Sequence, residues 1–422
     1  MKADFRNKIK NNKIIIGLKS IIYFFFKPVI KRIGRMKANK CILKVINNKS
    51  ENPTVKVGFL VQMVTVWDKQ EEIYSEILRR DGMEAFLFVV PEDDWSNQKI
   101  ENSYDNNYFL NRYSESIKIY NSNGSVIDLT SYNLDYLFYP RPYDAHLPKE
   151  LRSNVMRNYT KCCYIPYGFT GADVFNEGNV YNSFFDNIYF CFMDSEYMRK
   201  LLENQYQNEI KRGLKKIEYL GYPALEKYLD MPERDIISTM TWTPRWSYDK
   251  KLGGSNFLEY KDDFVELINR HKGEVIFRPH PLMFDELVNR GLMSEENRDE
   301  YITKLKQKNT SIDMFHPIDE VLEKTDLLIS DFSTIVGTFF LTGKPIIYCD
   351  KGIVLNEVYA EMAEYMYIAY NWNDVEKYYT EIVLKNNDYK KSERQRFIKR
   401  KYCDVKDSAK KIVDAIITDK KE

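Results

Sequence analysis

Residues Thr325–Asp350 read TDLLISDFSTIVGTFFLTGKPIIYCD, an apolar run, a segment that opens with Asp, Ser and Thr, and a second apolar run after Lys-Pro. The apolar runs are typical of strands, and the segment between them is typical of a helix that begins near Ser333 and Thr334. Unbroken apolar strands separated by helices indicate a parallel sheet covered on both faces. This stretch therefore predicts an α/β domain.

The same alternation runs through the chain in two series. The first contains VKVGFLVQM, EAFLFVVPED, LDYLFYPRPYD, KCCYIPYGF and NIYFCFMDS, and the second contains IISTMTWTP, EVIFRPHP and the two strands above. Because 422 residues exceed what one hydrophobic core usually serves, we expect two domains. We predict two Rossmann-like, doubly wound domains facing a cleft, preceded by a basic helical segment. The predicted segments are 1–50 (basic and amphipathic), 51–222 and 235–395 (the two domains), and 396–422 (a C-terminal helix).

The N-terminal segment carries most of the charge asymmetry. The whole chain has a net charge of +1, but residues 1–50 hold fourteen Lys or Arg and one acid, Asp4, which leaves about −12 for the remainder. A helix here would place Lys13, Ser20, Lys27 and Lys31 on one face, which fits a helix on an anionic membrane surface. The alternative is a basic helix packed on the protein body. Pro28 is expected to end or kink the helix, and no apolar run is long enough to span a membrane.

The remaining composition narrows the function classes. Lys plus Arg number 63 and Asp plus Glu number 62, which does not predict a nucleic-acid-binding surface. Six cysteines have no CxxC spacing, which predicts reduced thiols in a cytosolic protein and no metal site. We therefore expect a peripheral protein on the cytoplasmic face of the cell membrane.

Polar and cationic side chains follow three strands of the second series. Ligands of open parallel sheets bind beyond the carboxyl ends of the strands. Hydroxyls, unpaired N–H groups at a helix start and nearby cations together indicate a phosphate site, although each motif alone is more often a cap or a turn. The predicted site residues of this domain are Thr243, Arg245, Arg278, His280, Ser330, Asp331, Ser333 and Thr334.

The segment FRPHP followed by TDLLISDFSTIVGTFFLTGKPIIYCD resembles the C-terminal signature of the CDP-glycerol glycerophosphotransferases. TWTPRW is similar to another strand end of that family. KVGFLVQMVTVWDKQEEIY, DYLFYPRPYD and IPYGF look like a branch found among surface-polysaccharide enzymes. The resemblance covers roughly residues 55–400 and implies a GT-B fold, with 51–222 as the acceptor domain and 235–395 as the nucleotide-donor domain.

The resemblance also implies roles for the site residues. His280, Ser333 and Thr334 would bind the diphosphate of CDP-glycerol, with added charge from Arg278 and Arg245. His280, if protonated, would meet the charge on the leaving CMP, and cationic side chains would replace a metal ion, so that no cofactor is expected. The implied reaction moves glycerol phosphate, or a similar polyol phosphate, to a growing glycan or lipid-linked acceptor. The alternatives are a glycosyltransferase that uses a nucleotide sugar and a non-catalytic nucleotide-binding partner.

The acceptor side departs from the family pattern. Where better-known members have His-Gly-Thr, this chain has Tyr167 before Gly168. A phenol with a pKa of about 10 is a poor general base at neutral pH. Asp173, Asp68 and His146 are the other candidates for this role, while His271 and His316 are expected to have capping or packing roles.

Overall fold

The computed structural model describes residues 13–48, 52–91, 93–94, 99–100, 107–232, 236–308, 310–313, 318–402 and 406–422. His316 and residues 1–12 lie outside this part. The strands are β1 (Val55–Val61), β2 (Met83–Val89), β3 (Asp93–Asp94), β4 (Lys99–Ile100), β5 (Ile117–Lys118), β6 (Tyr136–Tyr139), β7 (Lys161–Tyr164), β8 (Phe190–Phe192), β9 (Lys216–Glu218), β10 (Thr239–Thr243), β11 (Glu274–Phe277), β12 (Thr310–Ile312), β13 (Leu327–Ser330), β14 (Ile346–Cys349) and β15 (Tyr367–Ala369).

Helices fill most of the connections between these strands. They are α1 (Lys13–Asn47), α2 (Val64–Trp67), α3 (Glu71–Leu78), α4 (Tyr108–Arg112), α5 (Ser153–Met156), α6 (Asn176–Asn179), α7 (Glu196–Lys211), α8 (Pro223–Leu229), α9 (Phe257–Arg270), α10 (Met283–Asn289), α11 (Glu295–Lys306), α12 (Ile318–Lys324), α13 (Thr334–Phe340), α14 (Glu357–Ala363), α15 (Trp372–Tyr379), α16 (Lys391–Tyr402) and α17 (Ser408–Lys421).

Two parallel sheets form the framework. The first has the strand order β5-β2-β1-β6-β7-β8-β9 and the second has the order β12-β11-β10-β13-β14-β15. Every adjacent pair in both sheets is parallel. In each sheet the chain winds outward in one direction and then reverses, between β1 and β6 in the first and between β10 and β13 in the second. These reversals create the crevices in which doubly wound sheets bind ligands, and they confirm the predicted fold class.

The central strands are buried on both faces, as their apolar sequences predict. Phe59, Phe138 and Phe192 stack on one face of the first sheet, with Phe59 and Phe138 centroids 5.0 Å apart. In the second sheet, Trp242 and Phe277 pack with their ring centroids 5.4 Å apart beneath α9. The thiols of Cys162, Cys163, Cys191 and Cys349 are free and buried.

The N-terminal helix α1 is a single element that continues through Pro28. Pro28 was expected to end or kink this helix, and the helix does not end there. A proline in a helix removes one backbone hydrogen bond, and the turns after Pro28 are held by the protein body. Arg35 donates to Asp186 at 3.0 Å and Asn39 donates to Glu209 at 3.0 Å, while Ile42 is buried. This half of α1 therefore packs on the first domain, as the alternative interpretation expected.

The predicted polar face of α1 is only partly within the described side chains. Lys13, Ser20 and Lys27 lie outside them, whereas the Lys31 Nζ donates to the carbonyl of Tyr181 at 3.3 Å. No helix among the described residues has the length and hydropathy of a membrane span.

The C-terminal segment contains two helices where one was predicted. Arg394 at the start of α16 is fully buried, and its Nε donates to the carbonyl of Gly343 at 2.8 Å in the second domain. Helix α17 then returns to the first domain, where Asp419 accepts a hydrogen bond from the Tyr136 hydroxyl at 2.6 Å. The chain end therefore packs across both domains.

Candidate active site

The second-sheet site lies where β10, β11 and β13 end side by side. β10 pairs with both of the other strands, with Trp242 opposite Phe277 and Thr243 opposite Ser330. The loops after the three strands consequently leave the sheet at one edge. The His280 N–H donates to the carbonyl of Pro244 at 3.3 Å, which ties two of these loops together.

Arg245 supplies a positive charge at this edge. Its Nη1 donates to the carbonyl of Phe332 at 2.7 Å, and its guanidinium lies 5.2 Å from the Phe332 ring centroid and 5.7 Å from that of Phe175. Its Nε is buried without a hydrogen-bond partner, and the carboxylate that attracts its charge is that of the buried Asp331. Burial lowers the pKa of Arg245, but an arginine stays charged at neutral pH. These features suit an anionic ligand.

His280 faces the same place with one ring nitrogen committed. Its Nδ1 accepts from the Leu282 N–H at 3.2 Å, so the proton of the neutral ring lies on Nε2. The surrounding protein disfavours the charged ring and Arg245 repels it, which together lower the pKa of His280 to about 4. In the absence of a bound anion the ring is therefore neutral at pH 7, and the role expected of a protonated His280 requires a ligand that raises this pKa. Its Nε2–H can still donate to a phosphate oxygen.

Ser333 and Thr334 lie at the start of α13. The Ser333 Oγ accepts from the Ile335 N–H at 3.3 Å, and the Thr334 side chain is exposed. A Cβ built on Gly168 of the first domain would lie 3.7 Å from the Thr334 Cγ2. The loop that carries Tyr167 and Gly168 therefore meets the second-domain site directly.

Three other predicted residues support this site from beneath, and a fourth, Arg278, is engaged by a carboxylate. The Thr243 hydroxyl donates to the Ser330 hydroxyl at 2.7 Å, and both side chains are buried. The buried Asp331 carboxylate accepts from the Arg245 N–H at 2.9 Å and the Asn256 amide at 2.7 Å. We therefore correct the roles of Thr243, Ser330 and Asp331 from ligand contact to support of the loops. Arg278 forms an ion pair with Asp313, which already balances its charge.

Of the site residues predicted in the first domain, Tyr167 and Asp173 follow β7, whereas Asp68 lies elsewhere. The Tyr167 hydroxyl lies 3.1 Å from the Tyr143 hydroxyl at the ends of neighbouring strands. Burial is the main cause that raises the pKa of Tyr167 above its usual value, with a smaller effect from Tyr143, so that Tyr167 is corrected from a candidate base to a neutral hydrogen-bonding group. Asp173 is exposed, and it accepts from the Asn176 amide at 3.1 Å and from the Tyr197 hydroxyl.

Asp68 is placed in a different environment. It forms an ion pair with Lys69 and lines an acidic pocket with Glu72, Glu76 and Glu226. None of these pocket residues belongs to the loops at Tyr167 or His280. His271, predicted to be structural, is held between the Tyr379 hydroxyl at 3.1 Å and the Ser238 carbonyl at 3.1 Å.

The sequence did not reveal the contacts that join the two domains beside the site. The Asn356 amide donates to the carbonyl of Thr170 at 2.8 Å, and the Asn356 N–H donates to that of Gly171 at 3.0 Å. Phe175 stacks on Phe332 with centroids 5.8 Å apart. The only sequence signal was the position of these residues after strands. Within the described residues, no group of three or more His, Cys, Asp or Glu side chains is arranged to hold a metal ion.

Comparison with known proteins identifies the family. The sequence model described as CDP-glycerol:poly(glycerophosphate) glycerophosphotransferase matches residues 190–418, more than half of the 422-residue chain. The chain belongs to this family. It is an enzyme of the CDP-glycerol glycerophosphotransferase type, as the resemblance of its motifs predicted. No curated protein matches the chain significantly.

Solved structures confirm the GT-B-like fold. The wall teichoic acid polymerase TagF is 14% identical, with a TM-score of 0.53, and the match covers 97% of this chain and 98% of that one. A TagF structure soaked with CDPG gives a TM-score of 0.51 at 13% identity, with the same coverage of 97% and 98%. The UDP-GlcNAc 2-epimerase from Neisseria meningitidis, bound to UDP-GlcNAc, gives 0.54 at 12% identity, covering 86% of this chain and all of that one. At these identities the likeness concerns the fold.

Proposed function

We propose that this enzyme transfers glycerol phosphate, or a similar polyol phosphate, from CDP-glycerol to a growing surface glycan or teichoic-acid-like polymer. The observation that carries the proposal is the Arg245 guanidinium beside the His280 ring at the carboxyl ends of β10 and β11. In this proposal residues 51–222 form the acceptor domain and 235–395 form the donor domain.

The donor would bind with its diphosphate between Arg245, His280 and the start of α13. Arg245 offers the positive charge of its half-buried guanidinium, His280 offers its Nε2–H, and Ser333 and Thr334 offer hydroxyl and backbone donors. Phosphoryl transfer depends on positioning and on stabilisation of developing charge more than on covalent chemistry. A bound diphosphate would also favour the protonated His280 ring, because an adjacent negative charge raises a histidine pKa.

A donor panel tests this proposal. We expect purified protein to release CMP from CDP-glycerol or CDP-ribitol, read by mass, and His280→Ala to lower that rate by about 100-fold or more because a donor to the developing charge is lost. His271→Gln, on the far end of α9, should keep the wild-type rate. UDP released from a UDP-sugar would instead establish the nucleotide-sugar alternative. A folded protein that binds CDP-glycerol without turnover would support the non-catalytic alternative.

The outer face of α1 supports attachment to an anionic membrane. Val29, Ile33 and Met36 are exposed and recur three or four residues apart, opposite the side on which Ala38 and Ile42 are buried. A basic helix with exposed apolar side chains binds lipid surfaces through both. An enzyme held there would meet a lipid-linked acceptor at a raised local concentration. The proposed location is accordingly the cytoplasmic face of the cell membrane.

Liposome flotation tests the proposed membrane contact. Ile33→Glu combined with Met36→Glu is expected to reduce binding to phosphatidylglycerol vesicles by about 10-fold, because two apolar side chains that would enter the lipid become charges that the anionic lipid repels. Leu384→Glu, a control at an exposed apolar residue of the second domain, should bind as the wild type does. Equal binding by all three proteins would remove α1 from the membrane contact.

A further inference from the structure

Tyr143, His146 and Tyr167 form a cluster on the first-domain side of the cleft. They follow β6 and β7, which are neighbours paired at Tyr139 and Tyr164. The Tyr143 and Tyr167 hydroxyls are 3.1 Å apart, and the Tyr143 and His146 ring centroids are 6.2 Å apart in an edge-to-face arrangement. All three side chains are partly accessible. Two phenols and an imidazole consequently share one small surface.

The loop that carries this cluster is fixed from below. The Gln62 amide at the end of β1 donates to the carbonyls of His146 at 3.1 Å and Pro91 at 3.0 Å. The Asp144 carboxylate accepts from the Ser153 N–H at 2.8 Å and from its hydroxyl at 2.7 Å. These bonds hold the Tyr143–His146 backbone before any ligand arrives, as groups that act on a substrate require.

The cluster adjoins the donor site through its own loop. Gly168 follows Tyr167 and approaches Thr334, with a distance of 3.7 Å from its Cβ position to the Thr334 Cγ2. The next residues are anchored to the second domain, where Asn356 binds the Thr170 carbonyl at 2.8 Å. A hydroxyl held by the phenols would therefore lie on the side of the donor phosphates that faces the first domain.

The reaction needs a group that accepts the acceptor's hydroxyl proton. Histidine is the side chain whose ordinary pKa lies near neutrality. Of the four histidines, His271, His280 and His316 belong to the second half of the chain, and His146 is the one that precedes residue 236. Tyr167 stays protonated because burial raises its pKa, and Asp173 is engaged by Asn176 and Tyr197.

We propose that Tyr143, His146 and Tyr167 form the subsite for the acceptor hydroxyl and that His146 is its general base. This inference rests on the proposed transfer reaction. The phenols hydrogen-bond the hydroxyl while His146 accepts its proton and later passes it to solvent. The acceptor oxygen forms a bond to the phosphorus that carries the polyol. The bond from that phosphorus to the bridging oxygen breaks, and its electron pair leaves with CMP.

Turnover with CDP-glycerol and a glycerol phosphate oligomer tests the base. His146→Gln is expected to lower CMP release by about 100-fold or more, the range for loss of a general base. Its dissociation constant for CDP-glycerol, measured by calorimetry, should stay within about 2-fold of the wild type because the donor groups are untouched. His146→Gly should regain activity on addition of free imidazole. His271→Gln is the matched control and should keep full activity.

The outcomes separate this inference from the proposed function. Turnover by His146→Gln within about 3-fold of the wild type would overturn the base assignment. A loss of CDP-glycerol affinity in this variant as large as its loss of turnover would overturn the assignment as well. Wild-type protein that releases UDP from a UDP-sugar would refute the proposed donor, and the same variants would then test His146 with that sugar.

A binding measurement extends the test to a protein without turnover. Binding of the glycerol phosphate oligomer to CMP-loaded protein should weaken by about 5-fold or more in Tyr143→Phe and in Tyr167→Phe, because each loses one hydrogen bond to the acceptor. Unchanged oligomer binding in both variants would overturn the subsite.

Discussion

Arg245→Met is expected to lower kcat/KM for CDP-glycerol by about 100- to 1,000-fold, because it removes a preorganised cation from the developing phosphate charge. Methionine can still fill much of the space between Phe175 and Phe332, so the melting temperature should change little. The measurement is CMP release at varied donor concentration, together with thermal melting.

A second readout of Arg245→Met does not depend on activity. The charge of Arg245 contributes to the lowered pKa of His280, about 4, so its removal should move that pKa upward in an NMR titration. The neighbouring protein that disfavours the charged ring remains and should keep the pKa below its ordinary value. Arg290→Met, at an exposed residue paired with Glu286 in the same domain, is the control and should leave both readouts unchanged. An Arg245→Met enzyme with wild-type kcat/KM would exclude Arg245 from the donor site.

The sequence predicted the fold because burial on both faces leaves a visible pattern. Strands such as LLIS and IIYC read as unbroken apolar runs, and parallel order follows from the helices between them. The positions of Arg245, His280 and Ser333 followed from the rule that ligands bind beyond strand ends. Continuation of α1 through Pro28 was not predictable from local preference, since the helix is held by distant partners such as Asp186.

The direction of a side chain was harder to predict than its position. Thr243 and Ser330 occupy opposite positions on paired strands, where their hydroxyls meet each other instead of a ligand. Asp331 follows directly but turns beneath the surface to hold Asn256. Nothing in a single sequence indicates such pairings, because the partners are more than seventy residues apart. Tyr143 and Tyr167 are closer in sequence, 24 residues apart, but they too meet only once β6 and β7 are neighbours.

Asp419→Ala is expected to cost about 3 kcal/mol of folding free energy, the lower end of the range for breaking a buried ion pair, since its lysine partners are partly exposed. The carboxylate is 1% exposed and accepts from Tyr136 at 2.6 Å and Tyr189 at 2.5 Å, with Lys161 at 2.6 Å and Lys216 at 2.7 Å. The loss should appear as a lower melting temperature and as proteolysis that releases α17 from the first sheet.

The stability of Asp419→Asn as a function of pH tests whether the hydrogen-bonded network around Asp419 acts as described. Although burial alone would raise it, hydrogen bonds from Lys161 and Lys216 lower the pKa of Asp419 below its ordinary value. Its stabilising effect is therefore fully present above the unfolded-state pKa of about 3.9 and is lost as the pH falls through the lower folded-state pKa. The difference in melting temperature between wild type and Asp419→Asn should consequently be constant near neutrality and shrink below about pH 4.

Glu422→Gln is the control, because it removes an exposed carboxylate that also pairs with Lys216, at 2.6 Å. This variant should cost at most about 1 kcal/mol of folding free energy. Equal losses of folding free energy in Asp419→Ala and Glu422→Gln would mean that the burial of Asp419 contributes nothing to its stabilising effect.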